Sequence, residues 1–456
     1  MSNTFLFGDG KPGVTSFCFV AARRFAILFP LAGIVSETAI DATTIILLLL
    51  WLLSGGWLWR VRTYTREPVM LALSVFLLWT VIIVVRFICD DTSLAFEAVH
   101  HWWSRYPFIL LLILSTFYID KKTRATAFSF FAIGMIILYL NMVLVRGELV
   151  APGFPRCYIL FDTITSGCSL AMWCVFWIFL PYTSRDIPLV RRVLPVSVLL
   201  GMKIASRTSP LDFFWSIIPF AKTGRIPFFG IVFTIIRWSI IAAIICFLFK
   251  YNPSRQAQFA LLLAIISGLL VWNWRKGIVY FIILLIIVAP LAVTNDAFVA
   301  KWQRTYNDIG ELVSKEVDDI THKDRHYILV KSIDAISEKP LMGHGLDIDL
   351  ACSLTKTGFV HTHCDFTQIA IQFGLIGMVL LVIFLITLFF YAVKIPPPIN
   401  QFAIAALTVL VVCMSFDAAL YIDKHKYVMF FAIAVVIGEI IAQRQRIRKA
   451  QNRHQR

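Results

Sequence analysis

Asp365-Phe366-Thr367-Gln368 leads through Phe373-Gly374-Leu375-Ile376-Gly377 into apolar sequence that reaches Val393 without another charged residue. At 1.5 Å per helical residue such a run covers a hydrocarbon core of about 30 Å, so 365–393 reads as a transmembrane helix. Outward from it, similar runs lie near 401–416 and 427–443. Upstream, others lie near 25–40, 43–58, 69–88, 107–119, 127–145, 160–182, 227–249, 257–273 and 277–295. The 107–119 run is short and is expected to begin earlier. Composition agrees: 59% of residues are hydrophobic, 15% are charged, and the mean hydropathy is +0.79. A soluble domain of this size would lack its polar skin. The alternation of an outer-membrane barrel is absent. The expected fold is an all-α polytopic membrane protein with about 12 transmembrane helices and one large outer loop (a periplasmic loop, if the host is a bacterium) that itself contains helices.

The formal charge of +15 points to membrane topology and contact with membrane lipids, not to nucleic acid, because Lys and Arg stay on the cytoplasmic side. Arg60, Arg62 and Arg66 follow the second span, Lys121, Lys122 and Arg124 the fourth, and Arg185, Arg191 and Arg192 the sixth. Trp274-Arg275-Lys276 and the basic tail 444–456 fall on the same side, whereas Asp90, Asp91 and Glu97 fall opposite. Both termini are therefore expected to be cytoplasmic. Arg23-Arg24 precede the first run without a small-residue cleavage site, which reads as an uncleaved span. The organisation is then 1–295 with nine spans, a loop over 296–364 on the outer face, three spans over 365–443, and the tail. Residues 183–226, with Pro188, Pro195, Pro210 and Pro219 among cations and bulky apolar residues, read as an amphipathic insertion on the cytoplasmic leaflet.

Within the loop, Ile328, Leu329, Ser332, Ile333 and Ile336 recur at helical spacing, predicting a helix of about four turns that Arg325 opens and Pro340 and Gly343 stop. His363 stands about one turn before apolar sequence resumes. Nine Cys are scattered singly and serve mainly as small core residues. Cys352 and Cys364 flank one short loop and could pair in an oxidising compartment.

Three groups converge on the outer face by this topology: Arg255 in the turn Asn252-Pro253-Ser254-Arg255-Gln256, Arg325, and His363. A guanidinium pairs with phosphate oxygens through two parallel bonds and keeps its charge. Histidine is the residue type suited to take a proton from a hydroxyl near neutral pH. Each residue alone has a plainer role: an interfacial anchor for Arg255, a solvated first-turn residue for Arg325, an interface hydrogen-bonder for His361 or His363. His344, His361, His363 and Cys364 match no common zinc spacing, and no metal is expected. Arg237 lies near the middle of its span, at a cost of about 2.5–3.5 kcal/mol, and so faces either a structural partner or a wet cavity. It is about 27 Å along the chain axis from Arg255, too deep to share an outer site. Phosphate-binding glycine loops and paired-Asp metal motifs are lacking, so no nucleotide or other cofactor is expected.

The ordered set resembles the O-antigen ligase family, within a superfamily that includes O-antigen polymerases. Ser254-Arg255, the spans joined at Trp274-Arg275-Lys276, Arg325, Pro340-Leu341-Met342-Gly343-His344-Gly345, His363-Cys364-Asp365-Phe366 and Gly374-Leu375-Ile376-Gly377 carry the resemblance over about 254–377. Cys364 departs from the family's usual Asn after the His, and the 183–226 insertion has no counterpart in the pattern. The resemblance implies a metal-independent glycosyltransferase of the bacterial inner membrane with its active site at the periplasmic face. Its donor would be an undecaprenyl-pyrophosphate-linked glycan, and its acceptor a hydroxyl of lipid A–core in lipopolysaccharide biosynthesis. His363 would be the general base, and Arg255 and Arg325 would hold the pyrophosphate, with His361 and Arg237 as further candidates. The alternatives are an O-antigen polymerase, which extends another lipid-linked glycan, and a lipid-linked oligosaccharide flippase, which makes no bond. A flippase would carry charges along the whole lumen, and only Arg237 is deep.

Overall fold

The computed structural model describes residues 14–55, 66–146, 163–179, 228–250, 254–293, 325–346, 362–416 and 423–454, with Leu420, positions 299, 300 and 303, and gaps between 91 and 105. The described helices are α1 (Val14–Val35), α2 (Glu37–Leu53), α3 (Pro68–Asp90), α4 (Ile109–Tyr118), α5 (Lys121–Arg146), α6 (Thr163–Phe179), α7 (Phe228–Lys250), α8 (Arg255–Trp272), α9 (Trp274–Val293), α10 (Arg325–Glu338), α11 (Asp365–Val393), α12 (Ile399–Phe416) and α13 (Asp423–His454). The described residues contain no strand. Every predicted span after the first two overlaps one described helix, and α10 is the predicted loop helix. By length and composition, six helices (α1, α3, α5, α11, α12 and α13) can cross a membrane. The protein is multi-pass; a count of twelve crossings remains an expectation.

The surface explains the composition. On α3, Leu73, Phe76, Leu77, Thr80, Ile83 and Val84 face the bundle, while Leu71, Val75, Leu78, Val81, Ile82 and Val85 are exposed. On α11, Val379, Ile383, Ile386 and Phe390 are exposed likewise. A helix apolar on both faces suits a lipid solvent. The interior is aromatic: Phe128 of α5 packs on Phe176 of α6, Phe402 of α12 and Phe431 of α13 at centroid distances of 4.8, 5.4 and 5.2 Å. α13 runs through the centre. Gly438 gives it close approach to α4, since a Cβ there would lie 2.6 Å from the Tyr118 carbonyl oxygen.

Two boundaries differ from the sequence reading. The first break falls at Ser36, whose hydroxyl caps α2 by accepting the Ala39 N–H at 3.3 Å. The first two helices therefore lie earlier than 25–40 and 43–58, and Arg23 sits inside α1. The 107–119 run does not start early: α4 begins at Ile109, because Pro107 has no N–H to give the preceding turn. Its ten residues are short of a full crossing. Residues 183–226 and most of 296–364 lie outside the described residues.

Charges gather at one end of the bundle. Arg23 pairs with Asp120 and donates to the Thr123 hydroxyl at 2.6 Å. Glu67, almost wholly buried, receives Arg444 at 2.6 Å and Arg448 at 2.7 Å, so the helix of α13 continues through the predicted tail as far as His454. Arg124, fully buried, pairs with Glu439 and donates to the carbonyls of Tyr118 and Ile119.

Candidate functional site at the opposite end of the bundle

α11 is broken two turns from its start. Gly374 has φ 73° and ψ 175°, a conformation open mainly to glycine, and the break removes helical partners from the backbone on either side. Each bond that replaces them comes from elsewhere in the fold. The N–H groups of His344 and Gly345 donate to the carbonyls of Ile371 and Gln372 at 2.8 and 3.0 Å. The Trp79 indole of α3 donates to the Phe373 carbonyl at 2.8 Å. The Leu375 N–H donates to the Pro340 carbonyl at 2.7 Å. The Pro340–Gly345 turn and the Phe373–Gly377 stretch, read as two motifs, are one unit.

That unit fixes α10. Ile328, Ser332 and Ala335 are buried while Leu329 and Ile333 are exposed, so only part of the predicted stripe faces protein, and α10 packs on α11. The His344 ring meets the Ala335 carbonyl at 2.8 Å, in the last turn of α10. That contact spends His344 on the helix end. Arg325 is the first residue of α10, as predicted; its side chain, and His361 altogether, lie outside the described residues.

Before the break, Asp365, Gln368 and Gln372 form a buried polar stripe. Asp365 Oδ2 accepts the Leu420 N–H at 2.8 Å, which ties the connection after α12 to the start of α11. Tyr106 donates to Gln372 Oε1. The chain just before α11 carries His363, partly exposed, with a left-handed φ of 54°. Cys364 is the N-cap, a free thiol that makes no side-chain cap bond; Cys352 lies outside the described residues.

Arg255 opens α8, after Ser254, whose hydroxyl accepts the Ala257 N–H at 3.3 Å. The next residue, Gln256, donates to the Cys413 carbonyl near the end of α12 at 3.0 Å. The starts of α8 and α11 and the end of α12 therefore share one end of the bundle. Arg255 and His363 are both there, and α10, with Arg325, is docked beside them on α11.

Arg237 does not join this group. It is buried in α7, and its guanidinium donates to the carbonyls of Trp177 and Ile178 at 2.7 and 2.6 Å. A helix end leaves such carbonyls without internal partners and attracts a cation. Arg237 thus clamps α7 to the last turn of α6. Sequence reading missed Gln368, Gln372, Tyr106 and Trp79. Their one legible sign is the polar spacing 365, 368, 372 at the head of an apolar span, which is one helix face.

Residues 238–382 match the family model described as O-antigen ligase, and that stretch holds Arg255, Arg325 and His363. No curated protein matches the chain.

Proposed function

We propose that this chain, an O-antigen ligase family member by its residues 238–382, transfers a glycan from undecaprenyl pyrophosphate to a hydroxyl of lipid A–core at the periplasmic face of a bacterial inner membrane. The family supports a ligase- or polymerase-type glycosyl transfer acting on lipid-linked glycan. The observation that carries the finer reading is the convergence of Arg255 and a left-handed His363 at one bundle end, beside the helix that Arg325 opens.

In this reading His363 takes the proton of the acceptor hydroxyl as that oxygen bonds to the anomeric carbon of the donor. The bond from that carbon to the pyrophosphate oxygen breaks, its electron pair leaves with undecaprenyl pyrophosphate, and the anomeric centre inverts. Negative charge grows on phosphate oxygens, where the fixed donors of Arg255 and Arg325 lower the barrier most. The apolar exposed faces of α3 and α11 keep the site in the bilayer that holds both substrates.

The test is transfer in vitro with purified protein, undecaprenyl-pyrophosphate glycan and lipid A–core, comparing wild type with His363→Ala at matched folding. Capped lipopolysaccharide from wild type alone supports the reading. Lengthening of the lipid-linked glycan would make the protein a polymerase, and transfer by the variant would remove His363 as base.

A further inference from the structure

A side-chain-bearing residue holds a left-handed backbone only where its surroundings over-determine it, and such positions cluster at functional sites. His363, at φ 54°, is the one non-glycine residue with positive φ among the described residues, and its surroundings are specific. Just before it, the Thr362 N–H donates to Gln368 Oε1 at 3.0 Å. The Thr362 hydroxyl donates to the Cys364 carbonyl at 2.9 Å and meets the Thr367 hydroxyl at 2.8 Å. Just after it, the Cys364 carbonyl accepts the Gln368 N–H at 2.9 Å. Gln368 therefore holds the chain on both sides of His363, with its side chain before and its backbone after. Thr362 and Gln368 are 6% and 0% exposed, so water does not compete for these bonds. Gln368 is itself seated on a turn of α11 whose neighbours Ile369, Ala370 and Phe373 are buried.

From this geometry we infer that Gln368 is a positioning residue for His363: its carboxamide oxygen sets the left-handed turn and so the place of the imidazole. The inference rests on the reading of His363 as the base. A glutamine in the first turns of a membrane helix has a plainer use, as one more hydrogen bond, and the two roles separate by experiment. Gln368→Met keeps the volume and removes the acceptor, whereas Gln368→Glu, its carboxyl held neutral by burial, keeps an oxygen where Thr362 needs it.

The experiment measures kcat and KM for undecaprenyl-pyrophosphate glycan and lipid A–core with the full chain in detergent, together with the thermal midpoint of each variant. His363→Ala is run in parallel. Gln368→Met is expected to lower kcat by about 10- to 100-fold, the scale of a misplaced catalytic group, with each KM within about twofold of wild type. Its thermal midpoint should fall, because the buried Thr362 N–H loses its acceptor, so kcat is taken per folded molecule, and Gln368→Glu should recover most of kcat. The inference is overturned if Gln368→Met keeps wild-type kcat while His363→Ala is dead, which leaves the base intact and removes the latch. It is overturned as well if Gln368→Glu regains the wild-type thermal midpoint without regaining kcat, since the acceptor oxygen would then serve stability alone. Transfer by His363→Ala would overturn it from the other side, by removing the base it serves.

Discussion

Leu375 and Pro340 are joined by one backbone hydrogen bond of 2.7 Å across the broken helix α11. That bond gives the first N–H beyond Gly374 a partner, and it brings the turn after α10 into the membrane helix's own bonding. Gly343 and Gly374 face each other there, with φ 70° and 73°.

Gly374→Ala should therefore unfold the unit. A Cβ at Gly374 would meet the Leu341 carbonyl, and a backbone at φ 73° and ψ 175°, a region essentially reserved for glycine, costs about 1–3 kcal/mol for any other residue. The expected result is a lower thermal midpoint in detergent and loss of transfer. A variant with wild-type midpoint would mean that the break is not needed.

Cys364→Asn should stabilise. An N-cap Asn accepts an N–H of the first helical turn and is worth about 1 kcal/mol over a residue that does not, and Cys364 makes no such bond. The measurement is again the thermal midpoint, expected to rise. A fall would show that the thiol's packing outweighs the missing cap.

Arg124→Met should destabilise by about 3–5 kcal/mol, since it leaves the Glu439 carboxylate buried without its ion-pair partner. Arg124→Met combined with Glu439→Leu should recover most of that loss, the remainder reflecting the Tyr118 and Ile119 carbonyls that Arg124 also serves. A double-mutant cycle in denaturant reads the difference, and additive losses would argue against coupling.

Arg237→Met should lower stability by roughly 1.5–3 kcal/mol, the worth of hydrogen bonds from a charged group, with no change in transfer rate per folded molecule. A normal midpoint with a lost rate would return Arg237 to the list of functional residues.

Much of this was legible because it depends on side-chain chemistry repeated along the chain. The apolar runs, the sidedness of charge and the helix from Arg325 to Glu338 follow from hydropathy, from the placing of Lys and Arg, and from a 3.6-residue period. The break between α1 and α2 was misread because the first span was carried through the polar stretch Ser36-Glu37-Thr38 to residue 40; Ser36, a capping residue type, was the available sign. The join of Pro340–Gly345 to the break at Gly374 was not legible, since it is made by backbone N–H and carbonyl groups that every residue carries. Arg237 shows the same limit. Its depth was readable, and Pro181 marks where α6 stops, but its partners are backbone carbonyls, which carry no mark of their own in the sequence.

The position of Glu439 and Arg444 has a consequence for biosynthesis. α13 leaves the ribosome after every other described helix, yet it brings the partners of Arg124 and Glu67 and fills the centre of the bundle. Until it arrives, α1, α4, α6, α11 and α12 lack the helix they pack against at the centre of the bundle. A ribosome stalled before Gly438 therefore leaves Arg124 without its carboxylate, Glu67 without its two guanidiniums, and the bundle without its central helix.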